Sequence, residues 1–181
     1  MNLRTEITRR LIRSALLKEM KENPVSRITV KDLCLRAEIS RPTFYQYYRD
    51  VYDLADQTET EFITALTQAI GQTPAFRKAD RVRIYKSFCA LCLENRDLFL
   101  CFYGPNGDPA FIHKIIDNAP ASQTGLKTSY DLHYSLSFLY HGTAAIIYEW
   151  LLKEEDRETP EQIANVIIHL TFEGISQKYL R

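Results

Sequence analysis

Between its glycine- and proline-bearing breaks, the apolar residues of this chain recur at intervals of three and four, with no hairpin turn set between alternating runs. That period belongs to helices, so the expectation is an all-α fold. The breaks fall at Asn23-Pro24, from Gly71 to Pro74, from Gly104 to Pro109, from Pro120 to Gly125, and at Thr159-Pro160.

The first segment has Leu3, Ile7, Leu11 and Ala15 in one stripe, with Ile12, Leu16 and Met20 beside it, which predicts an amphipathic helix ending near Asn23. Thr29 is placed to cap a second helix, from Val30 to about Ala37, that is too short to stand alone in water. Further helices are predicted at about 41–47, 51–70, 78–95, 97–103 and 109–118, then two long ones at about 126–155 and 160–180. The last opens on Thr159-Pro160-Glu161-Gln162, a capping threonine with proline in the first turn and glutamine in the capping-box position.

Composition removes several function classes. With 45% hydrophobic and 25% charged residues the chain reads as folded throughout. The apolar run from Ile146 to Leu152 is interrupted by Glu149 and falls far short of the roughly 20 residues of a membrane span. The first twenty residues mix arginines through their apolar positions, unlike a secretion signal, so a cytoplasmic location without membrane contact is expected and the four cysteines read as reduced thiols.

The net charge of zero hides an asymmetry. Residues 1–49 carry eleven Lys/Arg against five Asp/Glu, and the remainder of the chain carries the compensating acidic excess. Positive charge gathered at one end suits a module that faces nucleic acid.

That end contains two short helices joined by a tight turn, Ala37-Glu38-Ile39. Ser40 can cap the second helix, and Pro42 is tolerated in its first turn. Val30, Leu33, Ala37, Ile39, Phe44, Tyr48 and Leu54 supply an inward face, which leaves Arg41, Pro42, Thr43, Tyr45, Gln46 and Tyr47 to point outward. A guanidinium, hydroxyls and an amide on one short helix match base edges and phosphates in a major groove.

The Thr-Val-x-Asp-Leu start at 29–33, the Ala-x-Ile-Ser turn at 37–40 and the Arg-Pro-Thr-Phe-Tyr-x-Tyr-Tyr run at 41–48 resemble the tetracycline-repressor (TetR) family of dimeric regulators. Glu94-Asn95-Arg96 and the run from Asn106 to Phe111 are similar to the branch that contains dihydroxyacetone kinase regulators. The resemblance implies a three-helix helix-turn-helix DNA-binding domain at 1–50 and a helical domain for effector binding and dimerisation at 51–181. It implies that Lys31, Arg41, Pro42, Thr43 and Tyr45 meet bases or nearby backbone, and that Thr29 and Tyr47 meet phosphates.

Two positions depart from the family pattern. Glu38 stands where the turn usually has glycine. Val51 stands where a phosphate-contacting lysine is usual, with Arg49 two residues earlier as its substitute. The function implied is a homodimeric regulator, in the family's commonest mode a repressor, that binds an inverted-repeat operator in double-stranded DNA and is switched by a small-molecule effector. The alternative is a coactivator of the same fold that binds a protein partner instead of reading DNA.

In the C-terminal part, the resemblance implies an effector cavity, for which Phe88, Cys92, Phe99, Phe102, Tyr103, His133, Tyr134 and His141 are the candidates. The competing reading is a packed aromatic core. Cys89-x-x-Cys92 lies inside a predicted helix with no second pair, so zinc and thiol switching are not expected, and the four histidines have no paired spacing on one face. No nucleophile elbow and no phosphate-cradling loop are present, so no catalytic residue and no cofactor is expected.

The helix at 126–155 has two apolar stripes, one through Leu136, Leu139, Thr143, Ile147 and Trp150 and one through Tyr134, Phe138, His141, Ala145 and Tyr148. One should pack inward and the other on a partner subunit. With Gly142 and Gly174 as sites of close helix crossing, the dimer candidates are Leu136, Leu139, Gly142, Thr143, Ile147, Ile163, Ile167, Leu170 and Gly174.

Overall fold

The computed structural model describes residues 3–70, 78–118 and 130–172, and its regular elements among these residues are all helical. They are α1 (Leu3–Met20), α2 (Val30–Arg36), α3 (Arg41–Tyr45), α4 (Val51–Ile70), α5 (Lys78–Glu94), α6 (Arg96–Tyr103), α7 (Phe111–Asn118), α8 (Tyr130–Leu152) and α9 (Pro160–Phe172), with a single 3₁₀ turn at Val25–Arg27. The all-α expectation holds.

Helices α1 to α3 form a small N-terminal head. The buried line of α1 is Ile12, Ala15, Leu16 and Met20. Leu3, Ile7 and Leu11, expected on the same face, are exposed, Leu3 at 71%. The inward line continues instead through Arg13 and Arg9, which pair with Glu61 of α4, so the charged residues take the side that meets α4 and the leucine row turns to solvent.

Helix α4 belongs to both halves. It spans the residues expected of a helix at 51–70, and Arg9 also reaches Tyr48 and Gln57 (both 3.3 Å). Further along, Phe62 stacks on Phe111 of α7 with ring centroids 6.2 Å apart and meets Phe99 of α6 edge-on. One apolar core runs from the head into the body along this helix.

In the body α5 packs along α9 and α4, and α8 packs on α6, α7 and α9. The α9 capping box forms as expected, with the Thr159 hydroxyl accepting from the Gln162 amide and the Gln162 side chain accepting from the Thr159 amide. Helix α8 stops at Leu152, short of 155, and Arg157 donates to the carbonyls of Leu151 and Lys153 at its open end. The predicted residues 126–129 and 173–180 lie outside the described ones.

Candidate nucleic-acid interface

Both short helices of the head are closed by the side chains that the sequence suggested. The Thr29 hydroxyl accepts from the Asp32 amide at 3.2 Å, and the Ser40 hydroxyl accepts from the Thr43 amide at 3.2 Å. Each cap satisfies an amide that a helix of this length would otherwise leave open.

Between them the chain reverses through a Schellman turn. The Ile39 amide donates to the Cys34 carbonyl (3.0 Å) and the Glu38 amide to the Leu35 carbonyl, with Glu38 itself at φ 54°. Glu38 thus occupies the left-handed conformation that glycine adopts without penalty.

The turn sets the exposure of α3. Phe44 and Tyr48 are buried with Leu33, Ala37 and Leu54, and Val30 and Ile39 pack half-buried against them. Arg41, Pro42, Tyr45 and Gln46 are exposed, Tyr45 at 57%, while Thr43 and Tyr47 are half-buried. Thr29 and Lys31 are exposed on α2 and its cap. Neither Lys31 nor Arg41 forms an ion pair among the described residues, which leaves both cations open to an external anion.

Arg49 is exposed but engaged by Asp53 at 3.2 Å, on a helix start where the Asp50 side chain accepts from the Asp53 amide. Hydrogen bonds to the Asp53 carboxylate from the Arg49 amide, the Gln57 side chain and the Arg49 guanidinium hold its pKa below the usual range. Val51 is buried, so this position faces the core and not a phosphate, and the exposed neighbour is Tyr52.

The effector candidates divide. Phe99, Phe102 and Tyr103 come together with Phe62 and Phe111 in a cluster whose ring centroids are 5.6 to 6.4 Å apart, joined to α8 by Tyr103 against Tyr148 at 5.5 Å. Phe88 and Cys92 are buried in the same core, whereas Tyr134 and His141 are exposed on the outer face of α8. The side chain of His133 lies outside the described residues.

Burial pushes the Cys89 thiol up to about 12 and the Cys101 thiol to about 11, and raises Cys92 and Cys34. Such thiols are poor nucleophiles. The histidines, which have no paired spacing along the sequence, make one contact through packing: His113 of α7 meets His141 of α8 with ring centroids 5.6 Å apart. No spacing within either helix signals a contact made by tertiary packing.

The residues expected at the dimer face divide. Ile147, Ile163 and Ile167 are buried within their own chain, and Leu136, Leu139, Thr143 and Leu170 are half-buried. Gly174 lies outside the described residues. Of the two stripes on α8, the one through Ile147 and Trp150 is covered by the body, and the one through Tyr134 (67% exposed), Phe138 (75%), His141 and Ala145 is open. Gly142 lies on that open face, with nothing within 4 Å of where a Cβ would stand. Two apolar stripes leave their direction to whichever helices pack there: the body covers the Ile147 side, and at the margin of the other stripe Tyr148 meets Tyr103 of α6 and His141 meets His113 of α7.

No family model matches the chain. It is 24% identical over 177 residues to the uncharacterised HTH-type transcriptional regulator YxbF of Bacillus subtilis (strain 168), an alignment that takes in 92% of this chain but only 44% of that relative's length. Three solved structures are similar. The dihydroxyacetone kinase operon activator DhaS has a TM-score of 0.53 at 17% identity, covering 94% of this chain and 97% of DhaS. A protein from Syntrophomonas wolfei str. Goettingen, described as a TetR-family transcriptional regulator, has a TM-score of 0.61 at 15% identity, covering 92% and 94%. A Clostridium perfringens protein described as a fatty acid metabolism regulator has a TM-score of 0.56 at 15% identity, covering 91% and 98%. By their names these are regulators and not enzymes, and at such identities the likeness establishes an architecture: this chain has the all-α fold of TetR-type transcriptional regulators.

Proposed function

We propose that this chain is a DNA-binding transcriptional regulator that acts as a homodimer on an inverted-repeat operator, with α3 in the major groove. The observation that carries the reading is α3 itself, capped and anchored by Phe44 and Tyr48 while Arg41, Tyr45 and Gln46 stand exposed. A helix kept only for packing has no need of an outward face of this chemistry.

In this reading Arg41, Thr43, Tyr45 and Gln46 meet base edges, Pro42 lies against nearby backbone, and Lys31, Thr29, Tyr47 and Arg49 meet backbone phosphates. The second subunit docks on the open face of α8 around Phe138, Gly142 and Ala145, which sets two reading helices about 34 to 36 Å apart for successive major grooves. Repression by occupying the operator is the mode proposed, in the cytoplasm, with release by a small molecule bound in the body. Activation is the second reading, favoured by the name of the structural neighbour DhaS, an operon activator.

Selection from a random duplex library, with sedimentation of the same protein, tests the proposal. An enriched inverted repeat and a dimer that Phe138→Glu dissociates are expected. A library without enrichment overturns the DNA reading, and a monomer at every concentration overturns the assembly.

A further inference from the structure

A cleft of about 320 Å³ opens where the head joins the body, between the end of α1, α6, the loop after α6 and α8. It is at the small end of the size range of ligand sites. Its position is distinct from the aromatic cluster at Phe99 and Phe111, and its walls join apolar surface from Met20, Leu100 and Tyr148 to an unbalanced set of charges.

Those charges are two cations on one carboxylate. Asp97 accepts from Lys21 at 3.0 Å and lies 3.8 Å from a guanidinium nitrogen of Arg96. Arg96 is fixed by donating its Nε to the Leu151 carbonyl at 2.7 Å, so it is aimed before any ligand arrives. One positive charge is therefore left over in a half-enclosed site, and the Tyr148 hydroxyl makes no hydrogen bond among the described residues.

The loop that forms the rim is built for close approach. A Cβ on Gly104 would stand 2.3 Å from the Leu100 carbonyl oxygen, and one on Gly107 would stand 2.1 Å from that of Phe102. The same loop sends Asn106 to donate to the Met20 carbonyl (3.3 Å) and the Lys21 carbonyl (3.4 Å), while Cys101 of α6 donates to the Leu17 carbonyl. The last turn of α1 is thus tied to the body at the mouth of the cleft.

We propose that this cleft binds a small monocarboxylate with a short apolar body, and that the bound acid bridges Lys21, in the turn just after α1, to Arg96 of α6 and Tyr148 of α8, stiffening the joint between head and body. A single negative charge answers the single surplus positive one, and the apolar body covers Met20 and Leu100. A phosphate monoester brings up to two charges and is disfavoured. The inference goes beyond the DNA-reading proposal and stands without it.

Benzoate and its uncharged isostere benzamide, titrated calorimetrically into the full chain, are the probes. Benzoate should bind in the millimolar range or tighter, benzamide about tenfold more weakly, because the charged hydrogen bonds are lost. Lys21→Met should reduce benzoate affinity about tenfold, while Lys86→Met, at a remote pair with Glu161, should leave it unchanged. Hydrogen exchange in residues 17–22 should slow on adding benzoate to the wild-type chain and stay unchanged in Lys21→Met. Equal binding of benzoate and benzamide, wild-type affinity in Lys21→Met, or exchange in α1 indifferent to benzoate would each overturn the proposal. No arm uses DNA, so failure here is distinguishable from failure of the DNA reading.

Discussion

Glu38 offers a perturbation whose size follows from the turn geometry. At φ 54° a residue with a Cβ pays about 1 to 2 kcal/mol for the left-handed conformation. Glycine removes that strain but restores about 0.5 to 1 kcal/mol of chain freedom to the unfolded state. Glu38→Gly should therefore stabilise the protein by about 0.5 to 1 kcal/mol, or about 1 to 4 °C in Tm for a chain of this size. Glu38→Ala keeps the Cβ and should gain none of this. Both variants remove an exposed carboxylate beside α3, so both should bind duplex DNA more tightly and by similar factors. Urea denaturation separates the two effects. If Glu38→Gly is no more stable than Glu38→Ala, the strain argument is wrong.

Val51→Lys, which the family pattern suggests as a gain, should instead cost about 1 to 3 kcal/mol in urea denaturation, because Val51 is buried. Tyr52→Lys, at the exposed neighbour, should leave stability nearly intact and steepen the salt dependence of DNA binding by about 0.9 in slope. A thiol reagent at neutral pH should find no fast-reacting cysteine in the native chain and all four after unfolding; at a pKa of about 11, roughly one Cys101 in ten thousand is thiolate. Glu59 of α4 is buried, with one carboxylate oxygen lacking a hydrogen-bond partner and the other on Lys114 of α7, which also reaches Asp108 at 2.8 Å. Desolvation outweighs Lys114 and raises the Glu59 pKa, so the native state keeps that proton longer than the unfolded chain does. The resulting stability is fully present below the ordinary value of 4.5 and is lost as pH rises through the raised one. Glu59→Gln should flatten that part of the pH profile, while Lys114→Met should steepen it and cost about 1 to 3 kcal/mol at neutral pH, less than a fully buried pair because Lys114 is partly exposed.

The head was legible because its signals are local. A capping hydroxyl and the amide it accepts from are three residues apart, so Thr29 and Ser40 could be placed before any packing was known, whereas the special place of Glu38 in the turn came from the family resemblance. The body was legible as helices but not as faces. Leu136 and Tyr134 begin two stripes of similar apolarity on one helix, and only the packing of α6, α7 and α9 decides which is covered. The same limit hid the row Leu3, Ile7 and Leu11, displaced outward by Arg9 and Arg13, and the cleft at Lys21 and Asp97, whose partners lie far apart in sequence.

In the proposed function α3 reads base pairs. Its most direct test is the affinity of wild type, Arg41→Ala and Tyr47→Phe for the selected duplex and for single-base variants of it, at several salt concentrations. Arg41→Ala should lose about 1 to 3 kcal/mol and its preference at one base pair per half-site, whereas Tyr47→Phe should weaken every sequence alike. Wild-type affinity and wild-type preference in Arg41→Ala would contradict the account and leave the partner-binding reading in its place.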